Sequence, residues 1–247
     1  MPSRNASVAI VGAGDFIGAA IARRFAAEGF HVHGGRRQGE KLAPLAAEIA
    51  EAGGMFLGHT LDAREESQVA AFLAAAEESG PLEACIFNVG ANVNFPVLET
   101  TERVFRKVWE MACLAGFLTG REAARRMLAH GRGSIFFTGA TASMRGGKGY
   151  AAFAAAKAGL RAVAQSMARE LSPQNIHVAH LVIDAGVDTA WVRERIAASR
   201  GAEAAASLAP DTLMNPASIA ETYWQLHRQP RDAWTHELDL RPYGETW

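Results

Sequence analysis

The stretch from Tyr150 to Thr189, YAAFAAAKAGLRAVAQSMARELSPQNIHVAHLVIDAGVDT, leaves this chain few folds to choose from. Its first half has a helical pattern: Leu160, Val163, Met167 and Leu171 recur every three or four residues and mark a buried side. Pro173 cannot continue the helix, and Asn175 follows at a turn. IHVAHLVI is then a near-continuous apolar run, the pattern of a parallel strand buried on both faces. Lys157 sits in the otherwise small and apolar start of the helix. A lysine there either lies on the solvated face or presents one fixed positive charge to a pocket.

The rest of the chain repeats this alternation. SVAIVGAG is a short strand ending in glycines, and DFIGAAIARRFAAEGF follows with Ile17, Ile21 and Phe25 at helical spacing. Strand, glycine turn and helix together aim backbone N–H groups and a helix N-terminus at a phosphate, although the same turn also occurs for steric reasons. The glycines are Gly12, Gly14 and Gly18, so the third falls one residue later than in the G-x-G-x-x-G fingerprint. FHVHGGRRQGEKL reads as a second strand and the start of a helix. Arg36 and Arg37 stand where a dinucleotide fold places an acid for NAD or an arginine for the 2′-phosphate of NADP, which favours NADP(H) over NAD(H). The alternative is a solvated basic turn.

MFLGHTLDA gives a third strand ending at Asp62, and the next helix turns Val69, Phe72, Leu73 and Ala76 inward. EACIFNVGAN is a fourth strand closed by Asn88 and Gly90, where backbone and ligand can approach. Residues 99–131 read as one long helix interrupted near Gly116, and GSIFFTGATAS as a fifth strand. Residues 190–215 fit a mobile helical flap over a pocket, and WTHELDL a last strand. The expected architecture is therefore α/β: one Rossmann-type domain over 1–247, about seven strands in a doubly wound parallel sheet with helices on both faces. Ligand is expected outside the carboxyl ends of the strands.

Composition excludes several other classes. The 247 residues are 49% hydrophobic with a formal net charge of -1, so no overall charge argues for nucleic acid or an acidic membrane. No apolar run approaches the roughly 20 residues that cross a bilayer. The N-terminal MPSRNA runs into a strand without the apolar region of a signal peptide. Cys85 and Cys113 sit in apolar contexts, which fits a reducing cytoplasm. His31 and His33 share a strand face while His177 and His180 point to opposite faces, so no metal site is expected.

Taken together, Gly12 and Gly18, Asp62, FNVG at 87–90, GSIFFTGA at 133–140, F-x-x-x-K at 153–157 and VDT at 187–189 resemble the short-chain dehydrogenase/reductase family over essentially the full length. The resemblance implies a dinucleotide site built from Gly12, Gly14, Asp15, Phe16, Ile17 and Gly18. It implies adenine contact by Asp62 and Ala63, and a strand end facing the cofactor at Asn88 and Gly90. Lys157 would hold the nicotinamide ribose, with Val187 and Thr189 on nicotinamide and phosphate. It also implies a small-molecule substrate and a homodimer or homotetramer packed through the helices at 103–129 and 150–171.

The family's asparagine, serine and Tyr-x-x-x-Lys pair fall on Cys113, Ala140, Phe153 and Lys157 of this chain, so only the lysine remains. Phenylalanine carries no acidic proton and alanine no hydrogen bond, so ordinary carbonyl reduction cannot run as written. Phe16 replaces the middle glycine of the turn, Val11 the usual threonine, and Asp184-Ala185 the usual Pro-Gly. Candidate substitutes for the lost groups are Asp184, as an acid or else a structural carboxylate, Lys157, as proton donor or oxyanion holder, and the Tyr150 hydroxyl, or else an ordinary aromatic at a helix start. Thr141, Ser143, Tyr150 and Trp191 join Phe153 as pocket residues. Arg193, Arg195 and Arg200 in the flap either meet an anionic group or form a solvated face. The leading expectation is an NADP(H)-dependent oxidoreductase acting on a small carbonyl or activated C=C substrate with an altered tetrad. The alternative is a catalytically silent NADP(H)-binding sensor or scaffold.

Overall fold

The computed structural model describes residues 4–245; the first half of the MPSRNA segment lies outside them. Seven strands form a single all-parallel sheet: β1 (Ser7–Val11), β2 (His31–Arg36), β3 (Met55–Thr60), β4 (Leu82–Phe87), β5 (Gly133–Thr138), β6 (Ile176–Ile183) and β7 (Glu237–Leu240). Their order is β3-β2-β1-β4-β5-β6-β7, so the connections run in opposite directions from β1 and leave a crevice between β1 and β4.

The pleat sorts β1 cleanly. Val8 and Ile10 face one core, Ala9 and Val11 the other, and all are essentially without solvent contact. Helices α1 (Ile17–Ala27), α2 (Ala43–Glu51) and α9 (Pro216–His227) cover the first face. Phe25 of α1 meets Trp224 of α9 edge-on, with ring centroids 5.5 Å apart. Helices α3 (Glu66–Glu78), α5 (Ala115–His130) and α6 (Ala151–Leu171) cover the second face. In α3 the buried residues are Val69, Phe72, Leu73 and Ala76, the stripe that periodicity marks.

Three elements differ from expectation. The long helix is broken not at Gly116 but one turn earlier: α4 (Glu102–Trp109) passes through a π-helical turn at Glu110–Leu114 before α5. Gly116 instead serves packing, since a Cβ there would lie 2.3 Å from Leu160 Cδ1. In α6, Val163 and Met167 are only half-buried, and the inner face is made by Phe153, Ala156, Lys157, Leu160 and Ala164. Residues 190–215 comprise α7 (Ala190–Arg200), the short α8 (Ala202–Ala206) and a return segment whose Met214 bridges to Val187. Among the described residues no helix is long and apolar enough to cross a membrane.

Candidate active site

A cavity of about 920 Å³ opens over the carboxyl ends of the strands, with Val11, Arg36, Asn88, Thr138 and Ile183 of five strand ends in its wall. One side is the glycine turn. Gly12 has a φ of +92°, and a Cβ there would lie 2.7 Å from the Asn88 carbonyl oxygen. Gly18 is equally confined, because its Cβ would meet the Gly12 carbonyl at 2.6 Å. A Cβ on Gly14 or Gly90 would meet nothing within 4 Å, so both leave open space where they line the cavity. Helix α1 starts with no side-chain cap. In the first turn Ala19 N donates to Gly14 O at 2.9 Å, which leaves the N–H groups of Ile17 and Gly18, both in the cavity wall, as the anion-binding end.

The turn is held from behind by polar groups. Asn88 Nδ2 donates to Gly12 O at 3.1 Å, and Thr138 Oγ1 donates to Asn88 Oδ1 at 3.0 Å. The Tyr223 hydroxyl of α9 lies 2.7 Å from Thr138 Oγ1, buried, and burial pushes its pKa up. Asp15, Phe16 and Ile17 all line the cavity. The Phe16 ring stands where the resemblance expects a glycine, and the cavity volume is what remains with it in place. That volume lies within the roughly 300–1,000 Å³ common to small-molecule sites. The open glycines, the uncapped helix start and this volume fit a dinucleotide.

Next to the turn, Arg36 donates to Asp15 Oδ1 at 2.7 Å, and Arg37 is exposed at the rim. Asp62 and Ala63 lie just beyond β3 rather than in it. Arg64, for which the sequence pattern holds no cue, donates to Asp62 from its backbone N–H at 3.1 Å and from Nε at 2.9 Å. That guanidinium holds the Asp62 carboxyl below the usual carboxylate range.

The other side of the cavity carries Lys157, which is buried on the inner face of α6 rather than solvated. Its Nζ donates to Thr138 O at 2.7 Å and to Val89 O at 3.2 Å, and burial lowers its pKa to about 8. Phe153, one turn earlier, is buried with its ring centroid 6.0 Å from that nitrogen. Ala140, Thr141, Tyr150, Val187, Thr189 and Trp191 complete this side. Thr189 also caps α7, its Oγ1 accepting from Val192 N at 3.1 Å.

Three candidate residues do not reach the cavity. Ser143 is buried, and its hydroxyl is occupied by the Ala140 N–H at 3.1 Å. Cys113, in the π-helical turn, packs against Gly159 and is buried, which raises its thiol pKa. Asp184 lies behind the wall, with Arg145 NH1 and NH2 each 3.2 Å from one carboxylate oxygen and Arg241 at 3.4 Å. Two guanidiniums thus engage the Asp184 carboxylate, which does not line the cavity. Arg145 itself lines the cavity, as does Arg195. Of the flap arginines, Arg193 is turned onto Asp188 and Arg200 is exposed. Nothing in the spacing singles out Arg145, and the RGGKG run that it opens is the one available cue. Among the described residues no three His, Cys, Asp or Glu side chains cluster to hold a metal.

Comparison with known proteins agrees with this architecture. The chain is 31% identical over 195 residues to the 3-oxoacyl-(acyl-carrier-protein) reductase MabA of Mycobacterium tuberculosis, covering 78% of this chain and 73% of the relative. A short-chain dehydrogenase from Rhodopseudomonas palustris, known by crystal structure, is 62% identical with a TM-score of 0.83, over 97% of this chain and 100% of the other. A single-site variant of the actinorhodin polyketide ketoreductase, crystallised with NADPH, is 25% identical with a TM-score of 0.87, over 98% of each chain. A model of the family described as short chain dehydrogenase matches residues 6–200, from the start of the sheet to the end of α7, and to that family this chain belongs.

Proposed function

We propose that this chain is an NADPH-dependent reductase of a small carbonyl or activated C=C compound whose proton-transfer apparatus has been rearranged. The observation that carries the reading is Lys157. An ammonium has three N–H donors, and two carbonyl oxygens at 2.7 and 3.2 Å take two of them. One donor is left for a ligand in a cavity where Ala140 and Phe153 offer none.

In this reading the entire chain, 1–247, is a single cofactor-binding domain. The turn from Gly12 to Gly18 would hold the pyrophosphate through its backbone, with Gly12, Gly14, Phe16, Ile17, Gly18 and the main chain of Asp15 around it, Arg36 and Arg37 would hold the 2′-phosphate, and Asp62 and Ala63 the adenine. Asn88, Gly90, Val187 and Thr189 bound the nicotinamide end. The actinorhodin ketoreductase variant crystallised with NADPH, 25% identical to this chain, supports the choice of NADPH by similarity. Bound NADPH supplies hydride to the substrate. Lys157 then stabilises the negative charge that develops on the substrate oxygen, as an electrostatic group already in place. For a C=C bond conjugated to a carbonyl, the proton to carbon comes from water, so no tyrosine is required. For this reason the enone reading is preferred to plain ketone reduction. Phe153 and Ala140, at the tyrosine and serine positions, keep this wall apolar.

The same two residues favour a second reading, a silent NADPH-binding protein. The test is deuterium transfer from 4-deuterated NADPH across a panel of ketones and enones, with wild type and with Phe153→Tyr/Ala140→Ser. We expect labelled enone product from the wild type. Ketone reduction should rise about 10²–10⁴-fold in the double variant, the scale of general acid catalysis. Label transfer by the double variant alone would establish the silent reading.

A further inference from the structure

The acids that line the cavity, among the described residues, are Asp15 and Asp62, and each is paired at the adenine side with Arg36 or Arg64. The opposite side holds two guanidiniums and, among the described residues, no lining carboxylate. Arg195 NH2 donates to the Tyr150 hydroxyl at 2.8 Å, and its guanidinium carbon lies 5.5 Å from the centre of the Trp191 ring. The loop carrying Arg145 passes against the same tyrosine, since a Cβ on Gly147 would lie 3.2 Å from Tyr150 Cδ2. Arg145 is oriented from behind by Asp184 at two 3.2 Å contacts. Asp184 also faces Arg241, which pairs in turn with Asp239, so the buried carboxylate behind Arg145 is shared. Two of Arg145's five donors are used on that carboxylate.

We propose that Arg145, Arg195 and the Tyr150 hydroxyl form an anion-binding end of this cavity, so that the substrate is a small carbonyl or enone bearing a carboxylate or phosphate. This rests on the reductase reading for what happens at the reacting end, and on the geometry alone for the anion. Tyr150 accepts from Arg195 and keeps its own O–H to donate. Arg145 and Arg195 both present planar forks suited to an oxyanion. Trp191 meets the Arg195 fork at cation–π distance. Asp184 is here a positioning residue, setting the Arg145 fork without touching the ligand.

Matched pairs separate charge from shape. Binding of 4-oxopent-2-enoate against its methyl ester, and of dihydroxyacetone phosphate against dihydroxyacetone, is measured by calorimetry with and without NADP⁺. Wild type should prefer at least one anionic partner by about tenfold or more, the worth of a charge-assisted hydrogen bond, and the preference should shrink with added salt. Whichever pair shows it tells carboxylate from phosphate. Arg195→Met and Tyr150→Phe are at a helix surface and a helix start, so they test the idea without touching the buried Asp184 pair. Both should cut the preference several-fold while the neutral partners bind as before. Arg145→Met should do the same, with Asp184→Asn weakening it through the loss of the anchor. Equal affinity within both pairs, or a preference that survives Arg195→Met and Arg145→Met, would overturn the proposal. Anion preference without label transfer from NADPH would leave the anion site standing and overturn the reductase reading instead.

Discussion

Lys157 combines burial, a free donor and a pKa pushed down to about 8, and these make one experiment decisive for its role. Desolvation disfavours the charged form, so the ammonium persists below about 8 and the neutral amine prevails above it. The neutral amine keeps two N–H groups, which Thr138 O and Val89 O can absorb, and loses the third donor. Turnover of a neutral enone should therefore fall as pH rises through about 8, approaching about tenfold per unit. Lys157→Met should abolish the step in the profile along with most of the rate. Stability carries the same signature with opposite sense. Between about 8 and the ordinary lysine value of 10.5 the unfolded chain holds a proton that the folded chain lacks, so this group's contribution rises with pH across that window. Denaturant titrations of wild type against Lys157→Met at pH 7 and pH 10 would read it. A flat activity profile would remove Lys157 from the chemistry. At this scale the sequence marks Lys157 as unusual, because a lysine among alanines is legible. It cannot rank Asp184, whose partners Arg145 and Arg241 are far from it in the chain and are brought to it only by the tertiary fold.

Elements are legible where one period dominates, and not where geometry is set by a neighbour. Strands β1, β4, β5 and β6 follow directly from buried apolar runs, and α3 from 3.6-residue spacing. Helix α9 has no place in the sequence reading, although Asn215 caps it through its side chain and Pro216 opens it. Its buried Ile219, Tyr223 and Trp224 pack into the core shared with α1, so their importance lies in the tertiary pairing. The π-helical turn before α5 carries no residue cue, whereas Gly116 looks like a break and is a packing contact with Leu160. The glycine turn is the element where conformation and site coincide. Gly12→Ala asks an L residue to hold a φ of +92° and places a methyl 2.7 Å from the Asn88 carbonyl. The backbone term alone costs about 1–2 kcal/mol. The clash would also push Asn88 away from its bond to Gly12 O. The expected result is a melting point lowered by several degrees, by calorimetry, with dinucleotide binding lost at least in part. Gly14→Ala, whose Cβ meets no protein atom, should keep the melting point and lose binding only. An unchanged melting point in Gly12→Ala would show that the turn is not held as described.

Across the whole molecule, charge is distributed so that one cavity has two basic ends. The chain is nearly neutral overall, with 25 basic and 26 acidic residues, so this asymmetry is local and invisible to composition. At the end beside β2, Arg36 is shared with Asp15 while Arg37 is exposed at the rim. A 2′-phosphate arriving there would meet one arginine already engaged by an acid and a second facing solvent. The fold as a whole should register that encounter, because a ligand bound only by the folded state stabilises it by mass action, about 2.7 kcal/mol at 100 times its Kd. NADPH should therefore raise the melting point further than NADH at equal concentration. Arg37→Ala should bring the NADPH shift close to the NADH shift and leave the NADH shift itself unchanged, since the two cofactors differ only at the 2′ position. Asp15→Asn should enlarge the NADPH shift, by removing the acid that competes with the phosphate for Arg36 and repels it directly. Equal shifts for the two cofactors in wild type would mean that the paired Arg36 and exposed Arg37 do not select between them. The assignment of this end to a 2′-phosphate would then fall, while the fold and the anion end at Tyr150 would be unaffected.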